Sequence, residues 1–268
     1  MTAEMHLHIL ASGSKGNATI VEGPKGFVLI DCGLSRRELI RRADELGVDV
    51  GRVAALLITH EHSDHVSGVS VFANRFNGEL VATAGTVGAR SYLSERRFTL
   101  IDNSCELEVA GMRVRVFPTS HDVADPVGFR FETCGDAIGY CTDTGVLTPE
   151  ALGALAGCRI IALESNHDER MLRTGPYPAF LKQRVGGARG HLSNAQAAEA
   201  LTALVGPDTE TVVAMHLSQE NNRPSIAVRT LAEALGAEAA NDTFTEARSP
   251  DGLLSICAAG QDRPMSIW

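Results

Sequence analysis

The segment Thr59-His60-Glu61-His62-Ser63-Asp64-His65 places three imidazoles and a carboxylate within six residues. Imidazole and carboxylate groups are ligands that Zn²⁺, Mn²⁺ and Fe²⁺ take in proteins. The apolar run Val53–Thr59 predicts a strand that is buried on both faces and delivers the following side chains to one point at a sheet edge. A histidine-rich surface loop is the alternative, but the HxHxDH spacing directly after a strand favours a metal site.

Three further candidate ligands stand later in the chain, each directly after a predicted β-strand: His121, Asp143 and His216. One histidine after a strand is more often a surface residue than a ligand. Together, however, the three repeat one arrangement, in which a polar ligand follows the end of a strand. We therefore expect them to belong to the same metal centre as the HxHxDH segment.

The composition is that of a globular protein, with 44% hydrophobic and 21% charged residues among 268. The 24 Lys and Arg against 33 Asp and Glu give a net charge of −9, which argues against a basic nucleic-acid-binding coat but leaves room for a local basic groove. Six scattered cysteines without a CxxC pair indicate reduced thiols. Met1–His8 has no signal-peptide pattern and no long apolar stretch predicts a membrane span, so we expect a cytoplasmic protein.

The pattern of apolar residues predicts an α/β protein. Strands and turns fill the first half, with helices predicted over Ser35–Leu46 and His65–Phe76, and from Thr148 onward strands alternate with helices as far as a last strand at Ser255–Ala258. No linker, low-complexity tract or clear repeat divides the chain. We therefore predict one domain over residues 1–268, with two mixed sheets and outer helices in a four-layer αββα sandwich.

HxHxDH followed by a later His, Asp and His in this order resembles the metallo-β-lactamase superfamily over the whole chain. The resemblance implies this fold type and two divalent ions, Zn²⁺ or Mn²⁺ with Fe²⁺ as an alternative. It also implies that Asp31, the match to an early aspartate of the superfamily, orients a ligand histidine. The implied ligands are His60, His62 and His121 for the first ion, Asp64, His65 and His216 for the second, and Asp143 as the bridge.

The all-His/Asp ligand set resembles the phosphodiesterase and nuclease branches of the superfamily. Such a centre hydrolyses a phosphodiester through a metal-activated hydroxide, and Asp64 is a candidate to position that hydroxide. Gly190-His191-Leu192-Ser193 resembles an element that precedes a helix in the tRNA 3′-processing members. This implies that His191 is a general acid or phosphate contact and that Glu164 orients it. The alternative is that His191 is only a helix-entry residue.

Three further motifs resemble the YycJ/WalJ group of bacterial metallo-hydrolases. They are Ser12-Gly13-Ser14-x-Gly16-Asn17, Glu164-Ser165-Asn166-His167-Asp168, and Gly190-His191-Leu192-Ser193-Asn194 with the later His216-Leu217-Ser218-x-x-Asn221-Asn222. The group is linked to 5′–3′ exonuclease action on DNA and genetically to a cell-wall two-component system. The resemblance implies a dinuclear-metal phosphodiesterase that acts as an exonuclease on DNA.

The stretch from Arg170 to Gly190 carries five cations and no acid, with two aromatic residues among them. Cations that meet phosphates and rings that stack on bases favour single-stranded DNA as the partner, whereas a solvated cationic loop is the alternative. The candidate substrate-binding residues are Ser14, Asn17, His167, Arg173, Lys182 and Arg184. His191 follows Asp143 by only 48 positions, too few for an inserted clamp domain, so short loops or a second subunit of a homodimer would hold the nucleic acid.

Two other functions stay open on the sequence. One is a hydrolase of a small phosphodiester or ester, in which the cationic stretch forms a lid over a closed pocket. The other is a regulatory metal-binding protein of the cell-wall signalling system, which would be expected to have broken ligands or no catalytic acid. The sequence shows neither defect.

Overall fold

The computed structural model describes residues 5–268. Residues 1–4, the first half of the Met1–His8 segment, lie outside the described part, and so does that half of the signal-peptide prediction. Within residues 5–268 no helix has the length and apolar character needed to cross a membrane.

Sixteen strands are found in the described part of the chain. They are β1 (His6–Ala11), β2 (Ala18–Gly23), β3 (Gly26–Ile30), β4 (Val53–Leu57), β5 (Glu79–Thr83), β6 (Thr99–Ile101), β7 (Glu106–Val109), β8 (Met112–Pro118), β9 (Val127–Thr133), β10 (Asp136–Cys141), β11 (Ile160–Glu164), β12 (Thr211–Met215), β13 (Glu238–Ala239), β14 (Glu246–Arg248), β15 (Ser255–Ala258) and β16 (Met265–Ile267). They form a seven-stranded and a nine-stranded sheet.

Ten α-helices accompany these strands over residues 5–268, together with a 3₁₀ helix at Val50–Arg52. They are α1 (Arg36–Glu45), α2 (Ser63–Val66), α3 (Val69–Ala73), α4 (Ala84–Gly88), α5 (Ser91–Ser94), α6 (Pro149–Leu155), α7 (Glu169–Thr174), α8 (Ala179–Val185), α9 (Asn194–Leu204) and α10 (Pro224–Leu235). Local chemistry sets several of their ends. Ser193 and Gln196 form a capping box at the start of α9, and Gly236, with a φ of 67°, ends α10.

The described chain comprises two compact units. Unit 1 contains residues 5–118, Val123–Asp136 and Gln261–Trp268. Its strands include the whole seven-stranded sheet, in the order β16-β1-β2-β3-β4-β5-β6, which is antiparallel up to β3 and parallel from β3 to β6. Strands β7, β8 and β9 form an antiparallel meander in the same unit. The core of unit 1 packs side chains such as Leu29, Leu56 and Phe72.

Unit 2 contains Thr119–Asp122 and Ala137–Gly260. Its strand order is β13-β14-β15-β12-β11-β10, in which β10, β11, β12 and β15 run parallel. Parallel neighbours end at the same edge of a sheet, so the residues that follow β10, β11 and β12 are brought close together. The fold class, two mixed sheets with flanking helices, is confirmed, whereas the extent of one domain over residues 1–268 stays a prediction.

Two sequence-based interpretations are wrong in detail. The predicted helix His65–Phe76 is broken into α2 and α3, because the backbone N–H of Gly68 donates to Cys32 O at 2.8 Å. A Cβ at Gly68 would also lie 1.9 Å from Leu34 O, so the chain passes too close there for another residue. The cationic stretch is not a loop, since it contains α7 and α8.

Candidate metal centre

Four of the predicted ligands, His60, His62, Asp64 and His65, lie together in unit 1 and are called the loop cluster below. The ring centroids of His60 and His65 are 4.0 Å apart, and those of His60 and His62 are 4.9 Å apart. His60 and His65 are buried, whereas Asp64 keeps 19% of its side chain exposed. The segment thus concentrates metal-ligating groups next to a partly open carboxylate.

Backbone contacts hold the loop cluster in place. Asn17 N donates to Asp64 O at 2.7 Å, and Cys32 N donates to His65 O at 2.8 Å. A Cβ on Gly33 would lie 1.6 Å from Asp64 O, so this position excludes every side chain. The segments after β1 and β3 therefore fix the path of the loop that carries these candidate ligands, a role that the sequence pattern did not reveal.

Asp31 and Thr59 determine which ring nitrogens the buried histidines present. Asp31 Oδ2 lies 2.7 Å from His65 Nδ1 and accepts the Thr59 hydroxyl at 2.8 Å. Since the Thr59 hydroxyl donates to Asp31, it accepts from His60 Nδ1, 3.0 Å away. Both imidazoles therefore carry their proton on Nδ1 and present the Nε2 lone pair as a ligand atom. Thr59 is a site residue that sequence reasoning missed.

The two predicted substrate residues after β1 differ in position. Asn17 is buried, and its Nδ2 lies 3.0 Å from His65 Nε2 and 3.3 Å from Asp64 Oδ2. Ser14 is exposed. Asn17 thus contacts ligand candidates directly, whereas Ser14 faces solvent.

A second group of candidates lies in unit 2 and is called the strand-end cluster below; its members are His121, Asp143, Glu164, His191 and His216. Asp143 Oδ1 is 3.5 Å from His216 Nδ1 and 3.8 Å from both His191 Nδ1 and His121 Nε2. Ligand atoms of Asp143, Glu164, His191 and His216 all lie within 4.8 Å of one another. Residues far apart in sequence therefore meet, as the parallel strand ends predict.

Glu164 is the buried centre of the strand-end cluster. Its Oε1 is 2.7 Å from His191 Nδ1 and 3.1 Å from His216 Nδ1, and its Oε2 accepts the backbone N–H groups of Thr144 and Leu192 at 2.8 and 3.2 Å. Four donors thus point at the two oxygens of this buried carboxylate, which fixes its orientation.

Electrostatics in this cluster follow from the same contacts. Burial opposes ionisation of Glu164, but the charge and hydrogen bond of His191, with a further hydrogen bond from His216, outweigh it and lower the pKa of Glu164. Burial acts to lower the pKa of His191, yet the charge and hydrogen bond of Glu164 raise it above its ordinary value. The pair therefore favours an imidazolium beside a carboxylate.

His121 is held from two sides. Its Nδ1 donates to the carbonyl of Gly190 at 2.9 Å, so its Nε2 presents a lone pair. Burial lowers the pKa of His121, which keeps the ring neutral. The guanidinium of Arg189 donates to His121 O at 3.1 and 3.2 Å, so one cation of the predicted cationic stretch braces the cluster.

Three site residues have left-handed backbone conformations: Asp31, Asp143 and His216, with φ of 59°, 55° and 54°. Each stands just after a strand, at the point where the chain turns. This conformation costs on the order of 1–2 kcal/mol for a residue with a side chain. Asn166 offsets it at one position, because its Nδ2 donates to His216 O at 2.9 Å.

Three of the four remaining predicted substrate residues line one cavity of unit 2. It has a volume of about 440 Å³ and is lined by His167, Arg173 and Lys182 among others. His167 is 2% exposed, and its Nδ1 has no hydrogen-bond partner within residues 5–268. Burial lowers the pKa of His167. Arg184 lies outside this lining and pairs with Asp122.

The donor chemistry fits divalent metal ions. Four buried imidazoles, two in each cluster, have Nδ1 hydrogen-bonded, so that Nε2 carries the lone pair of a ligand atom: His60, His65, His121 and His216. At His65 this lone pair faces Asn17 Nδ2, 3.0 Å away. Asp64 and Asp143 add carboxylate oxygens. Neutral imidazole and carboxylate groups whose orientation is fixed by hydrogen bonds are typical of catalytic metal sites.

Comparison with known proteins shows the family of this chain. The sequence profile of the beta-lactamase superfamily domain matches residues 27–217. Exodeoxyribonuclease YycJ of Bacillus anthracis is 31% identical over 237 residues, 86% of this chain and 89% of its own. Exodeoxyribonuclease WalJ of Streptococcus pneumoniae is 34% identical over 235 residues, 85% of this chain and 87% of its own.

Solved structures show the same fold at low identity. The metallo-beta-lactamase fold protein YhfI of Bacillus subtilis has a TM-score of 0.69 and 11% identity, covering 98% of this chain and 99% of its own. Zn²⁺-bound PqqB of Methylobacterium extorquens has a TM-score of 0.68 and 15% identity, covering 97% and 99%. With its His/Asp clusters, this chain belongs to the metallo-β-lactamase superfamily of metal-dependent hydrolases, within the YycJ/WalJ group.

Proposed function

We propose that the protein is a dinuclear-metal phosphodiesterase that degrades DNA from a 5′ end. Its similarity to two exodeoxyribonucleases supports DNA as the substrate. The observation that carries the proposal is the His191–Glu164 contact of 2.7 Å, with the pKa of His191 raised. A protonated imidazole at a metal centre suits a reaction that expels an alkoxide, as the cleavage of a DNA backbone does.

We assign the metal ligands of the superfamily to the residues of this chain that match its motifs in the same order. When bound, two divalent ions would lower the pKa of a water molecule, so that it attacks as hydroxide, and would neutralise charge on the phosphoryl group. Zn²⁺ or Mn²⁺ suits these ligands, and Fe²⁺ is compatible with them. The proposed ligands are His60, His62 and His121 for one ion, Asp64, His65 and His216 for the other, and Asp143 as the bridge.

Two side chains of the clusters would move protons. Asp64, a partly exposed carboxylate, would accept a proton from the attacking water. His191, with Nδ1 donating to Glu164, would direct Nε2–H at the leaving oxygen. As the phosphorus–oxygen bond breaks, the departing 3′ alkoxide takes this proton and leaves as a hydroxyl. Glu164 holds the imidazolium in place and keeps it charged.

The cavity of unit 2 is proposed to receive a nucleotide of a single DNA strand. His167 and Lys182 line it beside Arg173, whose side chain has no hydrogen bond or ion pair within residues 5–268. Cations of this kind suit phosphates, and a buried imidazole with an unpaired nitrogen suits a base or sugar hydroxyl. Ser14, Asn17 and Arg184 complete the proposed contact set, and a homodimer would extend the surface offered to the strand.

The test is cleavage of end-labelled single-stranded DNA by metal-stripped protein supplied again with Mn²⁺ or Zn²⁺. Stepwise shortening from the 5′ end by the wild type, absent in His62→Ala and present in the matched variant His6→Ala, is the expected result. Intact DNA together with rapid hydrolysis of a small phosphodiester would replace this proposal with the small-substrate hydrolase.

A further inference from the structure

Three arginines of unit 1 surround an open depression beside α1 and α3. Its volume is about 470 Å³, and it is lined by Arg36, Arg37, Ile40, Val71, Asn74 and Arg75. This lining includes no acidic residue. The three cations Arg36, Arg37 and Arg75 are called the arginine surface below.

The arginine surface differs from the other cations of the same helix. Arg41 pairs with Glu38 and Glu45, and Arg42 pairs with Glu38 and Asp262. Over residues 5–268, by contrast, the guanidinium groups of the arginine surface make no hydrogen bond or ion pair. Three like charges therefore lie together without an ion-pair partner among residues 5–268, on a chain whose net charge is −9.

Charge complementarity indicates an anionic occupant. Neighbouring cations repel one another, and an anion that lies among them relieves this repulsion. The adjoining cavity is lined by Arg36 and Arg75 together with Asp44 and Asp49, so two carboxylates border the arginine surface on that side and limit where an anion fits. Val71, 58% exposed, adds an apolar contact of the kind that a sugar ring uses. Repeated phosphates joined by sugars match this combination.

The arginine surface begins close to the loop cluster. Ser67 Oγ donates to Gly33 O at 3.0 Å, and Gly33 touches Asp64. Arg36 follows Gly33 by three residues, a span of at most about 11 Å. In double-stranded DNA each strand carries a phosphate about every 3.4 Å along the helix axis, and an extended single strand spaces its phosphates further apart. A strand with one phosphate at the loop cluster would therefore reach Arg36, the nearest of these arginines in sequence, within at most about three phosphates.

We propose that the arginine surface binds the phosphate backbone of the DNA strand a few nucleotides from the cleaved bond. This inference rests on the proposed function and names a second contact region for the same substrate, in unit 1 rather than in the cationic stretch of unit 2. Binding there is independent of base identity, because guanidinium groups meet phosphates.

The test compares two triple variants with the same change in net charge. Arg36→Ala/Arg37→Ala/Arg75→Ala removes the arginine surface, and Arg41→Ala/Arg52→Ala/Arg113→Ala removes three arginines that lie near carboxylates. The probe is a cleavage-resistant phosphorothioate single strand of about 20 nucleotides, longer than typical single-strand sites. Its Kd is measured over a range of salt concentrations, together with the hydrolysis of bis(p-nitrophenyl) phosphate.

In the first variant we expect the slope of log K against log salt to fall by about 2, which is three phosphate contacts at about 0.7 each. Binding should weaken by about tenfold or more at low salt, with hydrolysis of the small diester unchanged. The second variant should keep the wild-type slope. The inference would be overturned if the first variant kept the wild-type slope and affinity, or if both variants lost affinity equally. In either case, cleavage of DNA by the wild-type protein would still uphold the proposed function. A wild-type protein that neither binds nor cuts DNA would refute both.

Discussion

The loop cluster and the strand-end cluster contain the same kinds of candidate ligand but are assembled in different ways. In the loop cluster, His60, His62, Asp64 and His65 are neighbours in sequence, so a single turn after β4 brings them together. In the strand-end cluster, the sheet brings the residues together, because β10, β11 and β12 are parallel neighbours that end at the same edge. Chain proximity fixes one set of ligands, and topology fixes the other.

Each cluster also contains one buried carboxylate that orients imidazoles. Asp31 receives His65 and the Thr59 hydroxyl, whereas Glu164 receives His191 and His216. The difference lies in what the oriented rings are proposed to do. Asp31 serves ligands only, while Glu164 links a ligand to the proposed acid. Loss of Glu164 should therefore affect catalysis more than loss of Asp31.

The largest effect is expected when a proposed ligand is removed from either cluster. His60→Ala and His216→Ala should each lower the bound-metal content and reduce DNA cleavage by about 10³-fold or more, since metal ions contribute several kcal/mol to such reactions. Elemental analysis and a cleavage assay measure both quantities, with His6→Ala as the control. If either variant kept the wild-type metal content and activity, the cluster that contains the changed residue would not belong to the metal centre.

A smaller effect is expected from Glu164→Gln, which keeps the shape of the side chain but removes its charge. The variant should cleave DNA about 10²-fold more slowly at mildly alkaline pH. Glu164 raises the pKa of His191, so the acid is present below that pKa and is lost as the pH rises through it. Without the carboxylate, burial lowers the pKa of His191, and the alkaline fall in kcat should move to lower pH.

The pH dependence of kcat for wild type and variant measures this shift. Glu210→Gln, which alters an exposed partner of Arg159, is the matched control and should leave the profile unchanged. If kcat fell at the same alkaline pH in Glu164→Gln and in the wild type, Glu164 would not be the group that raises the pKa of the catalytic acid.

The smallest effect is expected from Asp31→Asn. An amide still accepts from His65 Nδ1 but carries no charge, so metal affinity should fall about 10- to 100-fold. At saturating metal, DNA cleavage should stay within a few-fold of the wild type. Titration of metal-stripped protein gives the affinity, with Asp49→Asn, at the start of the 3₁₀ helix, as the control. A loss of kcat as large as that of Glu164→Gln would erase the difference between the two carboxylates.

The sequence alone predicts much of the loop cluster, because its ligands are adjacent and need no knowledge of the fold. It also places Asp143 and His216 after strands, since apolar runs define where β10 and β12 end. The pattern does not reveal hydrogen-bond partners that come from other parts of the chain. Thr59 as the link between Asp31 and His60, and the four donors on Glu164, depend on tertiary packing.

Other features escape the sequence for a steric reason. At the break between α2 and α3 the chain passes so close to Cys32 and Leu34 that a side chain at Gly68 would clash, and the Gly68 N–H donates to Cys32 O instead of continuing the helix. Periodicity cannot report such an approach. The sequence pattern likewise does not predict the arginine surface. Arg75 is distant in sequence from Arg36 and Arg37, and only the fold unites them.

The most direct test of the central claim measures His191→Ala on two substrates whose leaving groups differ. A DNA alkoxide needs a proton, whereas the phenolate released from bis(p-nitrophenyl) phosphate does not. We predict that kcat/KM falls by about 10²-fold or more on single-stranded DNA and by less than about 10-fold on the small diester, with metal content unchanged. Equal losses on both substrates would contradict the assignment of His191 as the acid of a DNA-cleaving phosphodiesterase.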